Sequence, residues 1–291
     1  MRVTENMRFA SAQRSLSALR SRHAELTNQI TSGSRIGAPS DDPVAAAAMT
    51  RLAAQASRTA DYRATIDTVR SDIRLSESTL AEASGLIVRA QELALQGANG
   101  SLTAEDRRTL ATEVEALQAQ FISAANARGS RGFLFAGSRT DTAALSPTGD
   151  YQGDDAQHAV EIAPGVTAAV TVSGAEAFTA DGGVDVFAAL GALHSALQAG
   201  DGEQVATTLG NLEASRAQLV RAQAKSGLIM NRLDSADEAL SVTGLELERR
   251  SSELGAVDPF SALSELSQLS TTLEQAITVA RNTLNTGNDL F

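Results

Sequence analysis

Ser32-Gly33-Ser34-Arg35-Ile36-Gly37-Ala38-Pro39-Ser40-Asp41-Asp42-Pro43-Val44-Ala45 is the stretch from which the fold can be read. Two glycines and a proline within a few residues stop a helix. Asp42-Pro43 then starts another, because Asp suits an N-cap and Pro suits the first helical position, where no N–H is needed. Upstream, Phe9, Ala12, Leu16, Leu19, His23, Leu26 and Ile30 recur at alternating steps of three and four, the spacing of a coiled-coil seam interrupted only by His23. Downstream, Ile66, Val69, Ile73, Leu80, Ala83 and Ile87 fall on one stripe. They predict a single helix from residue 43 to about Gln96, roughly 80 Å long at the α-helical rise.

Gly97 and Gly100 end that helix, and Thr103 with Asp106 reads as a capping box opening a third helix through about Arg128. Its buried side is marked by Leu110, Val114, Leu117 and Phe121. From Gly129 to about Gly183 the composition shifts to Gly, Thr, Asp and Val, and two β-prone runs, His158 to Ile162 and Val166 to Val172, flank Pro164-Gly165 as a hairpin would. Helical period returns at Phe187. A second very long helix, from about Glu203 to Leu254, carries Val205, Leu209, Leu212, Leu219, Leu233, Leu240 and Leu247. After Gly255 and Pro259, Leu263, Leu266, Ser270, Leu273, Ile277, Ala280 and Leu284 repeat the three-four seam.

These elements predict a mainly α protein: an elongated antiparallel helical bundle of long rods, with terminal coiled-coil helices and a small β-rich insert. The segments are expected at 1–42 (N-terminal coiled-coil assembly segment), 43–132 (first half of the rod), 133–184 (β-rich insert), 185–255 (second half of the rod) and 256–291 (C-terminal coiled-coil assembly segment). Residues 1–35 hold six Arg against two Glu, a net +4, while 246–291 hold three Arg against seven acids, a net −4. Opposite sign favours pairing between the two ends. Two ordinary bundle helices would show the same spacing.

Composition narrows the function classes. The 291-residue chain has no cysteine, which excludes disulfides, thiolate metal sites and a cysteine nucleophile. With no Trp, eight Phe and two Tyr, the core must be packed mostly by Ala, Leu, Val and Ile. A formal charge of −11 disfavours general nucleic-acid binding. No run approaches the roughly 20 apolar residues of a membrane span, and the opening MRVTENMRFASAQRS lacks the apolar core of a secretory signal. The expected destination is the cytoplasm, or a place reached by a route that reads no cleaved signal.

Candidate chemistry is thin. Asp41 and Asp42 are adjacent carboxylates, but Pro43 makes a helix cap the better reading than a metal or acid–base pair. His23, His158 and His194 fall in three different elements, so no triad or zinc site is indicated. The acids at Asp150, Asp154 and Asp155, and the run Asp181-Gly182-Gly183-Val184-Asp185, do not follow the calcium-loop pattern and read as turns. Arg14, Arg20, Arg22 and Arg35 make the N-terminal segment basic without the aromatic groups that stack nucleic-acid bases, so a partner helix is preferred. The chain is expected to be no enzyme, with no catalytic residue, cofactor or metal.

The 32–45 stretch resembles the N-terminal motif of the flagellin family, in which a helix, a Gly-Arg-Ile turn and an Asp-Asp cap precede the first long rod. The Asp-Asp-Pro form, Phe133-Leu134-Phe135-Ala136-Gly137-Ser138-Arg139-Thr140-Asp141-Thr142, and Tyr151-Gln152-Gly153-Asp154 look like the hook–filament junction branch of that family rather than its filament subunits. The resemblance implies a structural subunit of the bacterial flagellum that joins hook to filament through polymerising terminal helices. It implies export unfolded through the flagellar type III route, without signal cleavage, to an extracellular location. Implied partners are a ring of like subunits, another hook-associated protein on the hook side, flagellin on the filament side and an export chaperone at the C-terminal helix, with no nucleic acid and no membrane. The assembly seam would comprise Phe9, Leu16, Leu19, Leu26, Ile30, Leu263, Leu266, Leu273, Ile277 and Leu284. The family turn and cap would be Gly33, Arg35, Ile36, Asp41, Asp42 and Pro43. The other readings are filament flagellin itself and a cytoplasmic helical signalling or scaffold module.

Overall fold

The computed structural model describes residues 2–179 and 183–288 and is mainly helical. Its described helices are α1 (Arg2–Ser32), α2 (Pro43–Gly97), α3 (Ala104–Ala125), α4 (Gly174–Phe178), α5 (Val186–Ala199), α6 (Gly202–Gly255) and α7 (Pro259–Asn288). Four short strands, β1 (Arg128–Gly129), β2 (Gly132–Phe133), β3 (Ala159–Ala163) and β4 (Val166–Ala169), pair as two antiparallel hairpins, β1 with β2 and β3 with β4. Two compact units result, Thr59–Val242 and Met1–Arg58 with Thr243–Phe291.

In the first unit α2 and α6 run antiparallel. Arg63 meets Asp237 at 2.8 Å and Arg70 meets Asp234 at 3.0 Å, so one index rises as the other falls. The apolar stripe read along α2 is buried there: Leu80, Ile87 and Leu93 share one core with Val205, Leu212 and Leu219 of α6. Helices α3 and α5 pack on each other and close that core, with Phe121 meeting Phe178 edge-on at 5.5 Å and Phe178 meeting Phe135 at 5.1 Å. Burial of each such ring contributes on the order of 2–3 kcal/mol. Further along the same helices, Ile66, Val69 and Ile73 join Leu233 and Leu240 under Ile162, Ala168 and Val170 of the β3–β4 hairpin. The hairpin turns at Gly165 with φ +73, a left-handed value that favours glycine.

The expected capping box is present: Thr103 Oγ1 accepts from the Asp106 amide at 3.2 Å, while the Asp106 carboxylate accepts from the Thr103 amide at 2.9 Å. Helix α5 is bounded by an Asp185 N-cap, which accepts from the Ala188 amide at 2.8 Å, and by Gly200 at φ +73, which separates it from α6. The 133–184 segment holds less strand than its Thr and Val content suggests, because side-chain oxygens take up the amides a ladder would use. Asp154 accepts from the Ser138 and Ala156 amides at 2.7 and 3.0 Å, and Ser146 Oγ accepts from the Thr148 and Asp150 amides. The Tyr151 hydroxyl donates to the Phe135 carbonyl at 2.8 Å, and burial, with help from the nearby Asp154 charge, pushes its pKa up to about 12. The two signatures at 133–142 and 151–154 are therefore one knot: a Cβ on Gly137 would lie 2.1 Å from Asp154 Oδ1.

A buried cation closes the end of this unit. Arg107 is 9% exposed, and its guanidinium donates to the carbonyls of Gly97 (2.8 Å), Asn99 (3.0 Å) and Gly200 (3.2 Å). These acceptors lie at and just beyond the C-terminal ends of α2 and α5, where the helix dipole is negative. Arg107→Met should leave three carbonyls short of a donor and lower stability by roughly 3 kcal/mol, read as a lower urea midpoint with an unchanged slope. Arg107→Lys should recover only part of it, because an ammonium cannot span the three acceptors as a planar fork does.

Candidate assembly surface

The second unit is built on helix pairing between the two ends of the chain. Helices α1 and α7 pack side by side. Leu26 is 2% exposed at the centre of the α1 stripe, and Leu16, Leu19, His23 and Ile30 are half-buried. On α7, Ala262 is 5% exposed and Leu266, Leu273 and Ile277 are half-buried. Leu263, placed on the seam by its spacing, instead points outward at 52% exposure. The covered stripe instead begins at Ala262 and runs through Leu266, Leu269, Ser270, Leu273, Ala276, Ile277 and Ala280. The side chains of Phe9 and Leu284 lie outside the described residues.

Opposite charge does link the helices, through Arg22 and Glu265 at 2.9 Å. Both side chains are about half exposed, so the pair is worth at most about 1 kcal/mol and fixes register more than stability.

The turn-and-cap residues gather where α6 ends. Gly33, at φ +68, lets the chain leave α1, and Ser34 pairs antiparallel with Ala256. The Arg35 amide donates to the Gly255 carbonyl at 2.7 Å, and the Val257 amide donates to the Gly33 carbonyl at 3.1 Å. Arg35 Nη2 donates to the Leu254 carbonyl at 3.0 Å and to Asp42 Oδ2 at 3.3 Å. Asp42 Oδ1 accepts from the Ala45 amide at 3.0 Å, making Asp42 the cap of α2, with Pro43 as its first helical residue. Asp41 has a separate task, accepting from the Gly37 and Ala38 amides at 3.0 and 2.7 Å. Ile36 is half-buried beside them. The Ala45 amide, and after it the Arg35 guanidinium, holds the Asp42 carboxyl below the usual carboxylate range.

Other residues weighed for chemistry are scattered. His23 sits in α1, His158 just before β3 and His194 in α5. Asp150 accepts from Thr148 Oγ1 at 2.6 Å and Asp155 from Ser173 Oγ at 2.6 Å, both inside local turns or caps. Of the 181–185 run, Asp181 and Gly182 lie outside the described residues. Sequence reasoning missed the other half of the turn-and-cap cluster, residues 254–257. Gly255 and Pro259 announce a break, but nothing local announces a partner more than two hundred positions away.

Comparison with known proteins follows this geometry. Residues 3–140 match the bacterial flagellin N-terminal helical region, spanning α1 from its second residue, the turn and cap, α2, α3 and most of the first signature. Over that stretch, a little under half of its length, the chain is similar to flagellin. Flagellar hook-associated protein 3 of Salmonella typhimurium is 27% identical over 180 residues, which is 61% of this chain and 57% of that protein. The protein of the same name from Escherichia coli is 30% identical over 155 residues, 53% of this chain and 49% of its own length. The chain thus aligns with about half the length of the curated relatives it matches. A solved structure assigned as a flagellar hook-associated protein from Vibrio parahaemolyticus is 28% identical with a TM-score of 0.69, covering 74% of this chain and 100% of that one. Among the described residues no helix is long and apolar enough to cross a membrane.

The cap can be tested by titration. A carboxylate held below its ordinary range gives stability that is present above its unfolded-state pKa and is lost as pH falls through the folded-state value. Asp42→Ala should therefore melt below wild type at neutral pH, and the gap should narrow in acid below about pH 4, where the unfolded wild-type carboxyl also protonates. Asp42→Asn, which keeps a capping oxygen but loses the charge opposite Arg35, should fall between the two in thermal melts at neutral pH.

Proposed function

We propose that this chain is a structural subunit of the bacterial flagellum, an adaptor joining hook to filament through α1 and α7. The observation that carries the reading is the incomplete seam: among the described residues of the α1–α7 stripe only Leu26 and Ala262 are buried in a single chain, while Leu16, Leu19, Ile30, Leu266, Leu273 and Ile277 stay half covered. Two helices with so little buried area are marginal in water, and neighbouring subunits would supply the missing cover. Support for the position comes from the hook-associated relatives at 27% and 30% identity. On this reading the partners are a ring of like subunits, a hook-associated protein on one side and flagellin on the other. The chain leaves the cell unfolded by the flagellar export route, where a chaperone holds its C-terminal helix, and it performs no catalysis.

Deleting the gene should leave hooks without stable filaments and shed flagellin into the medium, scored by electron microscopy. Normal filaments would refute the adaptor role. Leu19→Asp or Leu273→Asp should be recovered outside the cell and melt close to wild type as a free subunit, because those positions are half exposed there. Both should fail to anchor filaments, since burying a carboxylate in a completed apolar seam costs several kcal/mol. A variant that melts several degrees lower and still anchors filaments would assign the seam to internal packing alone.

A further inference from the structure

Asn99-Gly100 is the only Asn-Gly pair in the sequence, and it lies in the exposed turn between α2 and α3. An asparagine followed by glycine can react within itself: the glycine amide nitrogen attacks the asparagine side-chain carbon, and no Cβ on the glycine obstructs the approach. Here the groups are arranged for that attack. Asn99 Oδ1 accepts from the Ser101 amide and from Ser101 Oγ, each at 3.0 Å. Because a peptide N–H can only donate, the first of these bonds fixes which side-chain atom is the oxygen and which the departing nitrogen. Both donors meet the atom on which negative charge gathers as the side-chain carbon becomes tetrahedral, which is what an oxyanion hole supplies. Among the described residues the Gly100 N–H donates no hydrogen bond, so the attacking nitrogen has none to break.

The main chain of Asn99 meets a buried cation. Its carbonyl accepts from Arg107 Nη2 at 3.0 Å and from the Leu102 amide at 3.2 Å. We propose that Asn99 is a self-modification site: the folded chain deamidates there without an enzyme, and the main product, isoaspartate, gives Arg107 a carboxylate. The Gly100 nitrogen yields its proton to hydroxide and bonds to Asn99 Cγ. The Cγ–Nδ2 bond then breaks, ammonia leaves with a proton taken from water, and a cyclic succinimide remains. Water next adds to one of the two ring carbonyls. Addition at the main-chain carbonyl breaks its bond to the Gly100 nitrogen, so the chain now runs through Cβ and Cγ and the former carbonyl carbon becomes a carboxylate. The balance is one water consumed for one ammonia released, with no oxidant or reductant. That carboxylate forms where Arg107 already donates, so a neutral acceptor becomes a charged one. A hydrogen bond to an ionised partner is roughly twice as strong as a neutral one, which favours this opening and offsets the strain of one extra main-chain carbon. Opening at Cγ gives aspartate and leaves Arg107 with the carbonyl it had. The proposal is independent of what the chain assembles with.

The freshly purified full-length chain is incubated in warm, mildly alkaline buffer and sampled over days. Isoaspartate is read by methyl transfer from S-adenosylmethionine with an isoaspartyl methyltransferase, and its position by fragmentation mass spectrometry. Label should accumulate at residue 99. Asn126, followed by Ala127 and locked by two bonds to Leu145 at 2.9 Å, should stay unlabelled. In Gly100→Ala a Cβ meets nothing within 4 Å, so the fold is kept while the attack is hindered, and labelling should fall severalfold. Ser101→Ala should slow labelling severalfold in the folded chain and leave it unchanged in urea, where the turn is gone. A folded chain that labels far more slowly than the urea-unfolded one would overturn the proposal, because the turn would then protect Asn99. So would a folded Ser101→Ala chain that labels at the wild-type rate. The role of Arg107 is read separately, on the isoaspartyl form resolved by anion exchange. Its urea midpoint should stay at or above that of the fresh chain, and isoaspartate should outweigh aspartate more strongly in wild type than in Arg107→Met. A midpoint that drops to that of fresh Arg107→Met, or a product ratio that ignores the substitution, would show that the carboxylate does not reach the guanidinium.

Discussion

The antiparallel contact between α2 and α6 is the constraint on which the 59–242 unit depends. Its partners, such as Arg70 with Asp234, and the Ile87 and Leu212 that share one core, come from regions more than a hundred residues apart, so the loop that closes between them contains α3, the hairpins and α5. Closing so long a loop costs conformational entropy that grows only slowly with length, and the apolar stripe of two long helices offsets it at many points. The intervening elements then need only cover the sides of that contact. This explains why α3 and α5 are short and amphipathic, and why the insert can consist largely of turns.

Much of this was legible because helices announce themselves locally. The stripe at Ile66, Val69, Ile73 and Leu80 has a 3.6-residue period whatever it packs against, and Asp42-Pro43, Thr103 with Asp106 and Gly97 carry start and stop signals in the residue type itself. The bounds of α2, α6 and α7 follow from such signals. Phase was harder: counting the final seam from Leu263 rather than Ala262 misplaces one residue, since a small alanine gives a weak signal of burial while its leucine neighbour gives a strong one that the structure does not use.

What stayed hidden depends on distance. Arg107 reads in sequence as one of two adjacent basic residues on a surface helix, and only the three carbonyls brought to it by separate elements reveal a buried bolt. The pairing of residues 33–35 with 255–257 is equally silent, because backbone hydrogen bonds leave no mark on side-chain choice. In the 133–184 segment the hydroxyls and carboxylates that bind amides are the same residues that composition reads as turn or strand formers. There the sequence resemblance carried more than the periodicity did.

The acceptors around Arg107 are all peptide carbonyls, and a carbonyl has no proton to gain or lose across the pH range a protein meets. The end of the 59–242 unit is thus held by a bond set without a titrating acceptor, whereas the turn after α1 relies on a carboxylate, Asp42. Acidification therefore addresses the two places unequally. Acid strong enough to protonate Asp42 would loosen the cap of α2 while the carbonyl cradle of Arg107 kept its full complement of lone pairs.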